Sequence, residues 1–220
     1  DTWLNARVTG VTGAYPRFSV LVSRGERPAT AQYAKTLVIA SGVRPRPLPG
    51  YESQSLPGVI VGPGEQVMAT DFSGSTGALL GGGDNAFENY EFVKQRGASR
   101  ACIYARSVRA QKQFVMRVPP EDLVMGLPEV NPEQRMVNGH RYDWIVVLYG
   151  WQANIAFLDG LALVSDPRGY VQTDMASAQT NLPGLYAIGE VAQRMHPCVP
   201  TAMADGVVAA KAIERQLTGV

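Results

Sequence analysis

The run GGGDNA at residues 81–86 constrains this chain more than any other feature. It follows a short apolar run at 77–80 and precedes residues 86–95, which read as a helix that Gly97 would stop. Residues 100–104 form the next apolar run. The order is therefore strand, glycine turn, helix, strand, which is one βαβ unit. The turn fits G-x-G-x-x-A, and each named position has a physical reason. Gly81 permits the tight turn, Gly83 lets backbone N–H groups approach a pyrophosphate, and Ala86 lets the helix pack on the strand. Asp84 and Asn85 complete the turn and belong to the expected dinucleotide-binding set. The positive end of the helix then faces the phosphates. A glycine-rich βα turn can also be purely structural, and the charges of Asp84 and Glu88 equally suit a helix start. What favours a dinucleotide is the surrounding strand–turn–helix–strand order.

The end of the following strand bears on which dinucleotide. A carboxylate there would hold a ribose 2′-hydroxyl, whereas the sequence has Ala105-Arg106-Ser107 with Arg109 close behind. Guanidinium groups suit a 2′-phosphate through charge-assisted bonds, so Arg106 and Arg109 are the candidate NADP contacts. A solvated surface pair is the other reading of these arginines.

Elsewhere the chain is punctuated by turn residues. Residues 6–10, 18–23 and 36–40 read as strands, and the last, apolar on consecutive positions, predicts burial on both faces. Residues 45–49 and 57–64 are rich in proline and glycine and read as linkers. A helix is expected within 107–118, buried strands at 144–149 and 185–188, and a closing helix over 200–217. Trp144 and Trp151 flank one of these strands and read as packing residues.

Composition excludes several function classes. With 45% apolar and 18% charged residues and a net charge of +1, nothing indicates a nucleic-acid or anionic membrane surface. Apolar runs are strand-length, and the opening DTWL does not resemble a signal peptide. Cys102 and Cys198 lie far apart, so no disulfide scaffold is indicated and a cytoplasmic location is expected. No His/Cys cluster has metal-ligand spacing.

GGGDNAFE, followed by a strand and R-x-x-R-A-Q-K, resembles the NADPH half of the thioredoxin-reductase-like flavoproteins, a family of pyridine nucleotide-disulfide oxidoreductases. Two further stretches agree in the same order. KTLVIASGVRPRPLPG (35–50) is similar to the segment that leaves the family's FAD domain. GYVQTDMASAQTNLPGLYAIGEV (169–191) is similar to its second FAD motif, and HPCVPTAMADGVVAAKAI (196–213) to its closing helix. The resemblance implies an α/β fold with two Rossmann-like dinucleotide-binding domains, the NADP domain inserted into an incomplete FAD domain. The expected boundaries are 1–56 and 143–220 for FAD and 57–142 for NAD(P). It implies FAD contacts at Ala40, Gly42, Gly189, Glu190, Val191, Cys198 and Val199. Glu190 stands where the family usually has Asp, and Ser107 where it has a second arginine.

The resemblance also implies a flavin-dependent NAD(P)H oxidoreductase passing hydride from NADPH to FAD and electrons to a small-molecule or small-protein acceptor, with no membrane or nucleic-acid partner, and working as a homodimer. The family's first FAD βαβ unit, with its own glycine fingerprint, has no counterpart here, so the chain is expected to be part of a longer protein. Residues 58–77 contain no cysteine, so a CxxC pair, needed to relay electrons from flavin to a disulfide, is not where the family has it. The alternative reading is a nucleotide-binding or regulatory relative without flavin. Cys198 and the neighbouring His196 are the candidate catalytic groups, one as a thiol at the flavin and the other as a proton donor. Lining the site, and a turn before Pro197, are their plainer readings. Cys102, inside an apolar strand, reads as a buried inert thiol.

Overall fold

The computed structural model describes residues 1–52 and 54–219, so Ser53 and Val220, each within an expected FAD segment, lie outside the described residues. The chain divides into two compact units, one made of Asp1–Val43 with Gln152–Val220 and the other of Arg44–Trp151. The discontinuous one begins with β1 (Ala6–Ala14), β2 (Arg17–Arg24), β3 (Thr30–Ala34) and β4 (Leu37–Ile39). The chain then enters β5 (Val43–Pro45). The continuous unit holds β6 (Val59–Val61), α1 (Glu65–Ala69), β7 (Thr76–Leu80), α2 (Asp84–Gln95), β8 (Arg100–Ala105) and α3 (Lys112–Val115). After these come β9 (Leu123–Met125), β10 (Val130–Asn131), β11 (Met136–Val137), β12 (His140–Arg141) and β13 (Trp144–Val147). β14 (Trp151–Ala153) leads back, and β15 (Leu185–Ala187) and α4 (Val199–Thr218) close the chain.

The continuous unit is built on a five-stranded parallel sheet of order β6-β13-β7-β8-β9. Side chains alternate across it, as the two-residue strand period requires. Leu79, Ile103 and Val146 point to the layer holding Phe87, Tyr90 and Val93 of α2. Ala78, Leu80, Cys102, Tyr104, Ile145 and Val147 point to the opposite layer, which Val137, Tyr142 and Leu48 help to cover. Burial on both faces explains the unbroken apolar runs of β7, β8 and β13. The Trp144 ring lies edge-on to Phe72 at 4.9 Å and its Nε1–H donates to Ser75 Oγ at 2.8 Å. That ring fills the space where a Cβ on Gly77 would stand, 2.1 Å away, which accounts for a glycine inside a strand.

In the discontinuous unit β1, β2 and β3 form an antiparallel sheet, with a register shift between Val8 and Gly10. β4 and β15 pair in parallel, Leu37 with Leu185 and Ile39 with Ala187. The closing helix α4 packs through Val208, Ala209, Ala212 and Ile213 beside Tyr186, whose hydroxyl donates to Gln216 Oε1 at 2.6 Å.

Several expectations are corrected. β13 lies between β6 and β7, and residues 44–56 group with the same unit, so the crossings fall at Val43/Arg44 and Trp151/Gln152 instead of 56/57 and 142/143. β4 is not buried on both faces: Ile39 is 5% exposed but Val38 is 44% exposed, because one face alone packs on the core. Residues 45–49 are not a free linker, since Leu48 is buried in a core cluster, and 57–64 contains β6. The helix expected over 107–118 shrinks to α3, and the segment ahead of it is a loop. β3 and the small sheet β10-β11-β12 carry too few apolar residues to have announced themselves.

Candidate functional site

The sheet order sets the position of the site. The chain leaves β7 towards β8 on one side, while β13 lies on the other side of β7, so the strand order reverses at β7. In open α/β sheets ligands bind beyond the carboxyl ends of the strands at such a reversal. The glycine turn is the carboxyl end of β7. A cleft of about 550 Å³ opens there, lined by Gly81, Gly82, Arg106, Ser107 and Arg109 and by the apolar or aromatic side chains of Tyr51, Leu127, Pro128 and Tyr149. Burial raises the Tyr149 phenol above its ordinary range, so this wall stays neutral.

Each glycine of the turn has a different constraint. Gly81 has φ +156°, and a Cβ there would stand 2.5 Å from the Leu148 carbonyl oxygen. A Cβ on Gly82 would meet the Ser107 carbonyl oxygen at 1.9 Å. A Cβ on Gly83 would meet nothing within 4 Å. Gly81 and Gly82 are thus required by the protein's own packing, and Gly83 alone faces open space, as a residue beneath a phosphate should. Ala86 is fully buried against the sheet. Asn85 is half-buried, and its carbonyl accepts from Asn89 Nδ2 at 2.7 Å.

Arg106 and Arg109 are exposed on the loop after β8, and neither guanidinium has an ion-pair partner among the described residues. The Asp84 carboxylate is engaged within the protein. Its Oδ1 accepts from the Gln111 backbone N–H at 2.8 Å and its Oδ2 from Gln111 Nε2 at 2.9 Å. Those bonds hold its carboxyl below the usual carboxylate range. Sequence reasoning missed Gly82 and Gln111; the first sits at a variable position of the motif, and the second is in no motif.

The residues expected around flavin gather at the carboxyl ends of β4 and β15. The Ile188 N–H donates to the Ile39 carbonyl at 3.0 Å, so Ala40 and Gly189 leave neighbouring strands together. A Cβ on Gly189 would lie 3.4 Å from Ala202 Cβ, bringing the first turns of α4 to the same edge. Glu190, Cys198 and Val199 are exposed there, Val199 by 73%. Gly42 has φ +64° with open space beside it. Val191 is different: its side chain is fully buried in the core, so only its backbone is available to a ligand.

Behind this edge lies a buried ion pair. Arg194 Nη1 is 2.6 Å from Asp205 Oδ1, and Asp205 Oδ2 accepts the Gly189 N–H at 3.0 Å. Arg194 Nη2 donates to the Met175 carbonyl, while its Nε is buried without a partner. Asp205 therefore ties α4 to the Gly189 turn. Cys198 caps α4: its N–H donates to Thr201 Oγ1 at 3.3 Å and its Sγ lies 3.4 Å from that oxygen. The Thr201 contacts pull its thiol below the ordinary cysteine value. His196 is exposed, and its carbonyl accepts from Thr201 Oγ1 at 2.8 Å. Cys102 is buried in β8.

Residues 128–206 match the model of the pyridine nucleotide-disulphide oxidoreductases. The chain is 25% identical over 204 residues to the 34.2 kDa protein in the rubredoxin operon of Clostridium pasteurianum, covering 84% of this chain and 65% of that one. It is 26% identical over 157 residues to thioredoxin reductase of Chlamydia trachomatis, covering 63% of this chain and 50% of that protein. The chain is thus similar in sequence to the thioredoxin-reductase-like pyridine nucleotide-disulphide oxidoreductases. Solved structures of such oxidoreductases share its fold. Thioredoxin reductase of Lactococcus lactis has a TM-score of 0.71 at 22% identity, with 98% of this chain and 75% of that chain covered. The bacillithiol disulfide reductase of Bacillus cereus has 0.76 at 18%, covering 96% and 71%. The Rossmann-type α/β fold expected from the sequence is thus that of these oxidoreductases. The chain spans half to two thirds of the length of the curated relatives just named. Among the described residues no helix is long and apolar enough to cross a membrane, and no His, Cys, Asp and Glu cluster could hold a metal.

Proposed function

We propose that this chain binds NADPH at the glycine turn and FAD at the β4–β15 edge, as part of a cytoplasmic flavin-dependent NAD(P)H oxidoreductase that serves a small-molecule or small-protein electron acceptor. One observation carries the reading. Gly81, Gly82 and two arginines without ion-pair partners among the described residues line one cleft where the strand order reverses, and Gly83, the N-cap of α2 with open space beside it, follows directly in the chain. In this arrangement backbone N–H groups at the start of α2 hold the pyrophosphate, and Arg106 and Arg109 hold the 2′-phosphate. The open space at Gly83 fits that use.

The discontinuous unit fits a flavin in a comparable way. Glu190 is exposed and has no partner among the described residues, leaving its carboxylate to accept hydrogen bonds from ribityl hydroxyls. Gly42 leaves open space, and the exposed first turn of α4 offers backbone donors. The chemistry supplied by a bound flavin is acceptance of a hydride from reduced nicotinamide and delivery of the electrons to an acceptor. The chain's part is to bind and orient. Its two cysteines, one buried in β8 and one capping α4, form no CxxC pair, and the proposed electron path does not use one.

The test is the purified full-length protein supplied with FAD. NADPH should bleach the visible flavin absorption faster than NADH, and Arg106→Ala with Arg109→Ala should remove that difference. A protein that binds NADPH but takes up no flavin would instead be a nucleotide-binding relative without catalysis.

A further inference from the structure

The two arginines sit on a loop that belongs to no helix or strand, yet that loop is fastened at three points to the glycine turn. The Gly82 carbonyl accepts the Arg109 N–H at 2.6 Å and the Ala110 N–H at 3.1 Å. Gly82 also lies against the Ser107 carbonyl, with no room between them for a Cβ. The third fastening is Asp84, whose two carboxylate oxygens are both used by Gln111, one by its backbone and one by its side chain. Asp84 is the first residue of α2. A carboxylate beside a phosphate site would repel the ligand unless its charge served another purpose.

The geometry points to Asp84 as a positioning residue for dinucleotide choice, holding the Arg106–Arg109 loop against the phosphate turn through Gln111. The inference rests on the NADPH reading of the cleft and deepens it. A loop already fixed in its binding geometry loses little freedom when the 2′-phosphate arrives, so the arginines discriminate more strongly than two mobile side chains would. The 2′-hydroxyl dinucleotide makes no use of the loop and gains nothing from the clamp. The depressed carboxyl of Asp84 agrees, since both oxygens accept bonds in the charged form.

Charge and geometry predict opposite outcomes, and two variants separate them. Asp84→Asn removes the charge but keeps the clamp: the Asn carbonyl accepts from the Gln111 backbone, and rotation of the Gln111 amide restores the side-chain bond. Asp84→Ala removes both bonds to Gln111 and leaves only the fastenings at Gly82. NADPH and NADH dissociation constants are measured for the intact protein and both variants, and amide exchange is followed at Arg109, Ala110 and Gln111. Asp84→Ala should cut the NADPH preference by about tenfold with NADH binding nearly unchanged, and exchange at Gln111 should accelerate. Asp84→Asn should keep the preference. If Asp84→Ala fails to fold, Gln111→Ala, which removes one of the two bonds, is read on the same ratio and should lower it.

An unmutated protein that prefers NADPH while Asp84→Ala keeps that preference overturns the clamp and leaves the NADPH reading standing. So does tighter binding of both dinucleotides by both variants, which would mark Asp84 as a repulsive charge only. An unmutated protein without preference overturns the NADPH reading and the clamp with it.

Discussion

Gly82 and Gly83 of the turn predict contrasting variants. Ordinary contact begins near 3.4 Å, and a Cβ on Gly82 would stand 1.9 Å from the Ser107 oxygen, so the two backbones would have to part by about 1.5 Å (3.4 less 1.9). The bonds from Arg109 and Ala110 to the Gly82 carbonyl would stretch with them. Overpacking of this kind costs about 1–3 kcal/mol and each weakened backbone bond up to about 1 kcal/mol, so Gly82→Ala should lose about 2–4 kcal/mol. At about 2–4 °C per kcal/mol for a chain of this length, the melting temperature should fall by at least about 4 °C. Gly83→Val behaves differently. Gly83 has φ −97° and ψ 176°, which valine adopts, and its Cβ meets nothing. The stability cost is that of a poorer N-cap, under about 1 kcal/mol. The branches would however occupy the space assigned to the pyrophosphate, and NADPH affinity should drop more than about tenfold, the loss of one good charge-assisted bond. The assay is a thermal melt of each variant alongside an NADPH titration. Equal destabilisation by both variants, or a folded Gly83→Val protein with unchanged NADPH affinity, would refute the reasoning.

The buried pair in the other unit makes a separate prediction. Asp205→Ala leaves the Arg194 charge, only 3% exposed, without its partner and frees the Gly189 N–H, so denaturant unfolding should show a loss of about 3–5 kcal/mol; a loss below about 1 kcal/mol would contradict this account of the pair. For Cys198 the depressed thiol should give an alkylation rate whose pH midpoint lies below the roughly 8.5 of a free cysteine. Thr201→Val, which removes the hydroxyl responsible, should move that midpoint upward, and an unchanged profile would dismiss the Thr201 contact as its cause.

The turn, α2 and the strands on either side of it were legible because local chemistry dictates them. Gly81 needs its positive φ, Ala86 needs its small side chain, and Gly97, at φ +88°, ends α2 where the sequence implies. What escaped depends on contacts distant in sequence. The run at 144–149 announces a buried strand but not its neighbours, and only the pairing of Trp144 with Gly77 shows which unit owns it. Val38 reads as core on composition, yet it stands on the face of β4 that the core does not cover. The loop ahead of α3 has helical composition, but Gly82 and Asp84 engage its backbone groups first. The same holds for the site. Arg106 and Arg109 could be picked out by their place after a strand, whereas nothing in the sequence connects Gln111 to Asp84, 27 positions earlier.

The central claim is that this cleft takes a 2′-phosphorylated dinucleotide. Its most direct test is equilibrium binding of NADPH and NADH to the intact protein, by calorimetry or fluorescence quenching, at low and high salt. Hydrogen bonds to charged groups contribute about 1.5–3 kcal/mol each, reduced by exposure. The account therefore predicts an NADPH preference of about ten- to a hundredfold, falling as salt screens the exposed arginines. Equal affinity for the two dinucleotides, or a preference that salt leaves untouched, would contradict it.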